Sequence, residues 1–108
     1  MSKPIEITDA NFKSEVLDSK IPVLVDIWAD WCMPCRMIAP AVEAVAKQYA
    51  GKVKVGKMDA DSNMTPSEFD VRGIPTLLVF RNGEVVDRIV GAVPQQVIAS
   101  HLDQALLN

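Results

Sequence analysis

The sequence contains very few residues of the kinds that cross-link a chain or coordinate metal. Its 108 residues include two cysteines and one histidine. Two cysteines cannot build a disulfide framework, and with a single histidine they cannot complete a four-ligand zinc site. Any chemistry at these cysteines must therefore be one that needs only a pair.

The sequence also lacks an excess of positive charge and a long apolar run. Eleven basic residues stand against fourteen acidic ones, which gives a net charge of -3. Nucleic-acid binding through bulk charge needs a basic face, so that class of function is disfavoured. No apolar run approaches the ~20 residues of a membrane helix, and the segment MSKPIEITDA does not resemble a signal peptide. We therefore expect a cytoplasmic protein whose thiols are kept reduced.

What the sequence does contain is an alternation of strand-like and helix-like segments without repeats or linkers. Residues 21–29 are nearly continuous apolar and β-branched, as in a central strand buried on both faces. Further strands are predicted at 5–8, 53–58, 75–80 and 85–90, and helices at 9–19, at 32–50, from residue 65 and from residue 94. This pattern predicts a single domain over residues 1–108.

Local signals refine these elements and define the fold class. Thr65-Pro66-Ser67-Glu68 has the pattern of a capping box, and Asn82-Gly83 predicts a tight hairpin. In the last helix the predicted buried face is Ile98, Leu102, Ala105 and Leu106. Strand–helix–strand units give parallel pairing, and the hairpin adds an antiparallel edge. We predict an α/β fold: a central mixed five-stranded sheet flanked by four helices.

The two cysteines lie in Cys32-Met33-Pro34-Cys35, where the buried strand gives way to the long helix. Cysteines three apart in a helical turn are close enough for a disulfide, and the helix N-terminus stabilises a thiolate at Cys32. We predict that Cys32 is the nucleophile of thiol–disulfide exchange and that Cys35, one turn deeper, is its resolving partner. The alternatives are half of a zinc ribbon or two inert core thiols, which the absence of further ligands disfavours.

Asp26 is a charged residue in the middle of the apolar run Val23 to Trp28. Because burying a bare charge is costly, its pKa should be raised or the carboxylate should be paired. Lys57 shares strand parity with Val53 and Val55, so it can face the same interior. A buried Asp26–Lys57 pair beneath Cys35 would be a proton acceptor for the resolving thiol. The alternative is that both residues are ordinary solvated side chains.

Together these residues resemble the thioredoxin family over about residues 5–106. The matching segments are 25–32, Pro34-Cys35, Lys57, 72–76, Phe80, Asn82-Gly83 and Gly91. The resemblance implies the thioredoxin fold and the reduction of protein disulfides through a Cys32–Cys35 redox disulfide. It further implies that Cys32 attacks, that Cys35 resolves, and that Asp26, with Lys57 as its neighbour, assists Cys35.

The resemblance also implies a target surface and a set of partners. Pro75 would be a cis-proline facing the disulfide, although only ~5% of X–Pro bonds in folded proteins are cis. The shallow apolar surface for the target chain would consist of Trp31, Met33, Pro34, Ile74, Pro75, Gly91 and Ala92. No cofactor or metal would be bound, since NADPH would supply electrons through a thioredoxin reductase. The partners would be this reductase and oxidised target proteins, with the chain acting as a monomer away from nucleic acid and membranes.

The sequence departs from the family pattern between the cysteines, where Met33 replaces the usual glycine and Arg36 replaces the usual lysine. Neither Met33 nor Pro34 adds a charge that would stabilise the thiolate further. We therefore predict a reductant. The competing interpretations are a disulfide oxidase or isomerase on the same scaffold, and a binding module whose cysteines are incidental.

Overall fold

The computed structural model describes residues 3–107 and contains the elements in the predicted order. They are β1 (Ile5–Glu6), a π-helical turn (Lys13–Leu17), β2 (Val23–Trp28), α1 (Met33–Gln48), β3 (Lys54–Asp59), α2 (Thr65–Glu68), β4 (Thr76–Arg81), β5 (Glu84–Val90) and α3 (Gln95–Leu107). The predicted α/β class, with one mixed sheet and four helical segments, is confirmed.

The five strands form one sheet in the order β1-β3-β2-β4-β5. β3 pairs in parallel with β1 and β2, whereas β4 pairs antiparallel with β2 and β5. The apolar run at residues 21–29 accordingly becomes the central strand, and Val23 to Ile27 are buried. The sheet places the carboxyl end of this strand, after Trp28, at the edge where open α/β folds carry their chemistry.

The β4–β5 hairpin turns at Asn82 and Gly83, as predicted. Both residues have positive φ, 52° and 81°, which is the backbone that a two-residue type I′ turn requires. The pairing shifts register next to Val79 and Phe80. The hairpin therefore carries a bulge of the kind that increases strand twist at a sheet edge.

Helical segments cover both faces of the sheet. One apolar cluster joins α1 and α3 to the face that carries Leu24, Leu77 and Ile89. A second cluster packs the π-helical turn and the segment after α2 against the face that carries Val25 and Phe80. The central strand contributes to both clusters, which explains why its sequence is apolar at nearly every position.

The predicted helix at 9–19 is wrong over much of its length, because only Lys13–Leu17 is helical. Asn11 uses its side chain to accept from the Thr8 N–H at 2.7 Å and to donate to the Glu6 carbonyl at 2.9 Å. Such side-chain bonds offer the backbone an alternative to a helix. The first turn of the predicted helix is consequently an irregular turn.

The predicted capping box at the start of α2 is also wrong, because the cap comes from elsewhere in the chain. The carboxylate of Asp9 accepts from the backbone N–H groups of Met64 at 2.8 Å and Thr65 at 3.0 Å, and from the Thr65 hydroxyl. The Thr65 hydroxyl bond, followed by the two backbone bonds, holds the pKa of Asp9 below 3.8. A distant carboxylate can therefore replace a local cap.

Leu106 was expected on the buried face of α3 and is instead 37% exposed. Ile98, Leu102 and Ala105 form the buried stripe. At about 100° per residue, Leu106 lies roughly 80° around the helix from Ile98, at the flank of that stripe. The buried face of α3 therefore consists of Ile98, Leu102 and Ala105.

We predict that Gly56→Ala destabilises the fold by about 1–3 kcal/mol, the usual cost of overpacking a core. A Cβ at Gly56 would overlap Cγ1 of Ile7, a side chain that is fully buried. Denaturant unfolding measures the change. The matched control is Gly73→Ala, where a Cβ would meet no atom of residues 3–107 within 4 Å. Equal stability of the two variants would contradict the packing argument.

Candidate active site

The two cysteines form a disulfide at the start of α1, directly after the central strand. Cys32 is the residue that caps the helix, Cys35 lies in its first turn, and their Cα atoms are 5.3 Å apart. They are only 3% and 4% exposed, and Ala29, Trp28 and Ile74 pack against them. Cys35 thus follows Cys32 by about one helical turn, as predicted, and the two residues are buried to a similar extent.

The helix terminus does distinguish the two sulfur atoms. Sγ of Cys32 accepts a hydrogen bond from the backbone N–H of Cys35 at 3.3 Å. The first N–H groups of a helix have no partner within the helix, and they carry partial positive charge. A thiolate at Cys32 would be stabilised by this amide, as the sequence predicted.

Asp26 is fully buried, in agreement with the prediction. Strand alternation places it on the same face as Leu24, which packs against α1, and Trp28, which packs against the cysteines. Within residues 3–107, neither carboxylate oxygen has a hydrogen-bond partner. Burial raises the pKa of Asp26 from 3.8 to about 6, and the positive charge of Lys57 limits this rise.

Asp26 and Lys57 are register partners on β2 and β3, and the Lys57 charge acts on the pKa of Asp26, but within residues 3–107 no hydrogen bond joins the two side chains. The Lys57 ammonium group lies 4.8 Å from the ring centroid of Trp28. It occupies the face of the indole, where the ring quadrupole attracts a cation. This position lies in a surface groove shared with Asp59, so Lys57 avoids the desolvation that direct pairing with Asp26 would require.

Trp31 stands beside the disulfide as an exposed aromatic side chain, with 70% of its surface accessible. Its indole N–H donates to the carboxylate of Asp61 at 2.9 Å, and the backbone N–H of Asp61 donates to Asp59 at 2.9 Å. Sequence reasoning missed Asp61. The only sequence signal is the short acidic segment Asp59-Ala60-Asp61 at the end of β3.

The segment before β4 forms the other side of the site. The Ile74–Pro75 peptide bond is cis, and Ile74 packs against the cysteines. The backbone N–H of Gly91 donates to the Pro75 carbonyl at 2.9 Å, which brings Gly91 and Ala92 next to this segment. A shallow groove runs from Trp31 to Ile74 and is also lined by Pro66 and Val71, two residues that sequence reasoning did not single out.

The remaining predicted contact residues, Met33 and Pro34, are exposed in the first turn of α1. Arg36 turns away from them, because its Nε donates to the Asp30 carbonyl at 3.1 Å. The surface around the buried disulfide is therefore largely apolar.

Comparison with known proteins agrees with this geometry. The thioredoxin family model matches residues 3–104. The chain is 52% identical to a thioredoxin of Synechocystis sp. over 98% of this chain and 100% of that protein. It is 50% identical to thioredoxin 1 of Nostoc sp. over the same shares, and 50% identical to a thioredoxin of Haemophilus influenzae over 96% and 98%.

The chain belongs to the thioredoxin family.

As a thioredoxin-family protein it is a dithiol–disulfide redox carrier, and the Cys32–Cys35 pair is its redox-active disulfide. The family works without a bound cofactor, and residues 3–107 contain no cluster of His, Cys, Asp and Glu suited to a metal ion. In the same part of the chain, no helix has the length and apolar character needed to cross a membrane.

Proposed function

We propose that the protein reduces disulfides of target proteins, with Cys32 as the attacking thiol and Cys35 as the resolving thiol. The observation that carries this proposal is the hydrogen bond from the Cys35 amide to the Cys32 sulfur at the N-terminus of α1. It favours negative charge on Cys32 over Cys35, and the thiolate is the nucleophile of exchange.

The reaction proceeds in two balanced exchanges. The Cys32 thiolate attacks one sulfur of the target disulfide, which forms a mixed disulfide and releases the other target sulfur as a thiolate. The Cys35 thiol then loses its proton and attacks Sγ of Cys32. This step forms the Cys32–Cys35 disulfide and releases the second target thiol, so the target gains two electrons and the protein loses two.

Asp26 is the proposed acceptor of the Cys35 proton. It shares a sheet face with Leu24 and Trp28, which pack against α1 and the cysteines. Its raised pKa of about 6 leaves it ionised at neutral pH yet more basic than an ordinary carboxylate. Lys57 is proposed to set this basicity from a distance, because its charge lowers the pKa of Asp26 without a direct bond.

The target chain is proposed to lie on the apolar surface around the disulfide. This surface comprises Trp31, Met33, Pro34, Ile74, Pro75, Gly91 and Ala92. Trp31 is well suited to such contact, since a large aromatic side chain held by Asp61 loses little entropy on binding.

The proposed activity also suggests the electron source of the protein and its compartment. A disulfide reductant needs a source of electrons, so we propose recycling by an NADPH-dependent thioredoxin reductase in a reducing compartment such as the cytoplasm. We further propose that the chain acts as a monomer with a single domain over residues 1–108. One sheet with an apolar cluster on each face supports a single folding unit.

A coupled assay tests the proposed function. We expect NADPH oxidation by a thioredoxin reductase, with insulin as the final disulfide, to depend on this protein and to disappear in Cys32→Ser. Insulin reduction with dithiothreitol as the only reductant tests the reduction of the target disulfide separately from recycling by the reductase. Activity with dithiothreitol but not with reductases would contradict the recycling proposal, and inactivity in both assays would favour a binding module.

A further inference from the structure

Three methionine side chains are unusually exposed. Met33, Met37 and Met64 are 66%, 74% and 71% accessible, whereas Met58 is fully buried. Met33 and Met37 are four residues apart on α1, so their side chains are neighbours on one face of the helix. That face begins between the two redox cysteines.

These thioethers matter most when the protein is in its disulfide form. Both cysteine sulfur atoms are then bonded to each other, and neither offers the thiolate that reacts with oxidants. The thioethers of Met33 and Met37 remain as oxidisable sulfur atoms next to the active site.

We infer that Met33 and Met37 form an oxidation site for hydroperoxides and that their conversion to sulfoxides weakens the binding of target proteins at the surface around the disulfide. The thioether sulfur attacks the terminal oxygen of the hydroperoxide, an S–O bond forms as the O–O bond breaks, and the proton of that oxygen passes to the departing alkoxide or hydroxide. The sulfur loses two electrons, and the hydroperoxide is reduced to an alcohol, or to water in the case of hydrogen peroxide. The functional consequence rests on the proposed function, which assigns Met33 to target binding.

The expected consequence follows from polarity. Around the disulfide, target contact depends on apolar side chains such as Trp31, Pro34 and Met33. A sulfoxide replaces the apolar thioether with a strong hydrogen-bond acceptor, and burying it against an apolar target segment costs free energy. A small aromatic disulfide covers little of this surface and should be reduced at an unchanged rate.

Peroxide treatment of the full chain in its disulfide form tests the site. Peptide mass mapping should find one added oxygen at Met33, Met37 and Met64 and none at Met58. After removal of peroxide and reduction of the disulfide, insulin reduction should fall roughly three- to tenfold, as expected for the loss of one or two apolar groups from an interface. Reduction of a small aromatic disulfide provides the parallel readout.

The double variant Met33→Leu/Met37→Leu and the matched variant Met64→Leu separate the causes. Each is compared before and after peroxide, so that any change in its untreated activity cancels. We expect the double variant to keep its insulin activity after peroxide and Met64→Leu to lose it as the wild type does. Unoxidised Met33 and Met37, or an equal loss in the double variant, would overturn the inference. Failure of the untreated wild type to reduce insulin would instead refute the proposed function. The mass mapping would still test the oxidation site, because it does not depend on disulfide reduction.

Discussion

Cys35→Ser is expected to trap target proteins as stable mixed disulfides on Cys32. The variant keeps the attacking sulfur at the helix N-terminus but removes the thiol that would break the mixed disulfide. Turnover should fall roughly a thousandfold or more, as when the nucleophile of a covalent mechanism is lost. Mass spectrometry after mixing with oxidised insulin would detect the adduct, which dithiothreitol should release.

Cys32→Ser is the matched control for this trapping experiment. Serine is close to cysteine in size, and both cysteines are equally buried, so the two variants disturb packing to a similar extent. We expect no adduct with Cys32→Ser, because the remaining Cys35 lacks the amide hydrogen bond that stabilises a thiolate. Adducts on Cys35 but not on Cys32 would reverse the assigned roles, and equal adducts on both would show that the helix terminus does not select the nucleophile.

Asp26→Leu is expected to stabilise the fold at neutral pH while impairing its chemistry. The folded protein binds the Asp26 proton more tightly than the unfolded chain, whose pKa is near 3.8. Stability contributed by this group is therefore fully present below about pH 3.8 and is lost as pH rises to about 6. At 1.36 kcal/mol per unit, the loss at pH 7 is about 3 kcal/mol, which the leucine variant should recover.

Denaturant unfolding of the oxidised protein between pH 4 and 7 measures this effect. The difference between wild type and Asp26→Leu should grow with pH, which separates Asp26 from Asp9, whose lowered pKa acts in the opposite direction. In Lys57→Gln, the stability contributed by protonated Asp26 should be lost at a higher pH than in the wild type, because the Lys57 charge lowers the pKa of Asp26. A stability difference that does not vary with pH would contradict burial of an ionisable carboxylate.

The kinetic half of the Asp26 prediction concerns release of the target. Without the proton acceptor, the second exchange should slow by roughly a hundredfold or more, the lower end of the usual range of general-base catalysis. Rapid mixing should then show accumulation of the mixed disulfide, while formation of that intermediate remains fast. Equal slowing of both steps would instead point to a structural disturbance.

Features governed by short-range rules could be predicted from the sequence. The apolar run around Asp26 has the pattern of a central strand, and Asn82-Gly83 has the backbone freedom that a tight hairpin needs. The cysteine spacing at a strand–helix junction predicted the disulfide and the stabilisation of a Cys32 thiolate by the helix end. These inferences concern neighbours along the chain.

Side-chain partners far apart in the sequence were less predictable. The cap of α2 comes from Asp9, 55 residues before Met64, and Trp31 is held by Asp61 across 30 residues. The isomer of the Ile74–Pro75 bond was likewise open, because cis and trans differ by only about 0.5–1 kcal/mol before packing acts.

The sequence by itself determined the order of the elements, the class of fold and the pair of sulfur atoms that react, because strand and helix periodicity and cysteine spacing are local properties of a chain. Only the tertiary structure decided the environment of that pair. It left the Asp26 oxygens without hydrogen-bond partners among residues 3–107 and placed Lys57 over Trp28 rather than on Asp26. The physical reason is that the cost of burying a charge depends on all the groups packed around it. Those groups decide whether the charge is paired or its pKa shifts, and they come from distant parts of the chain.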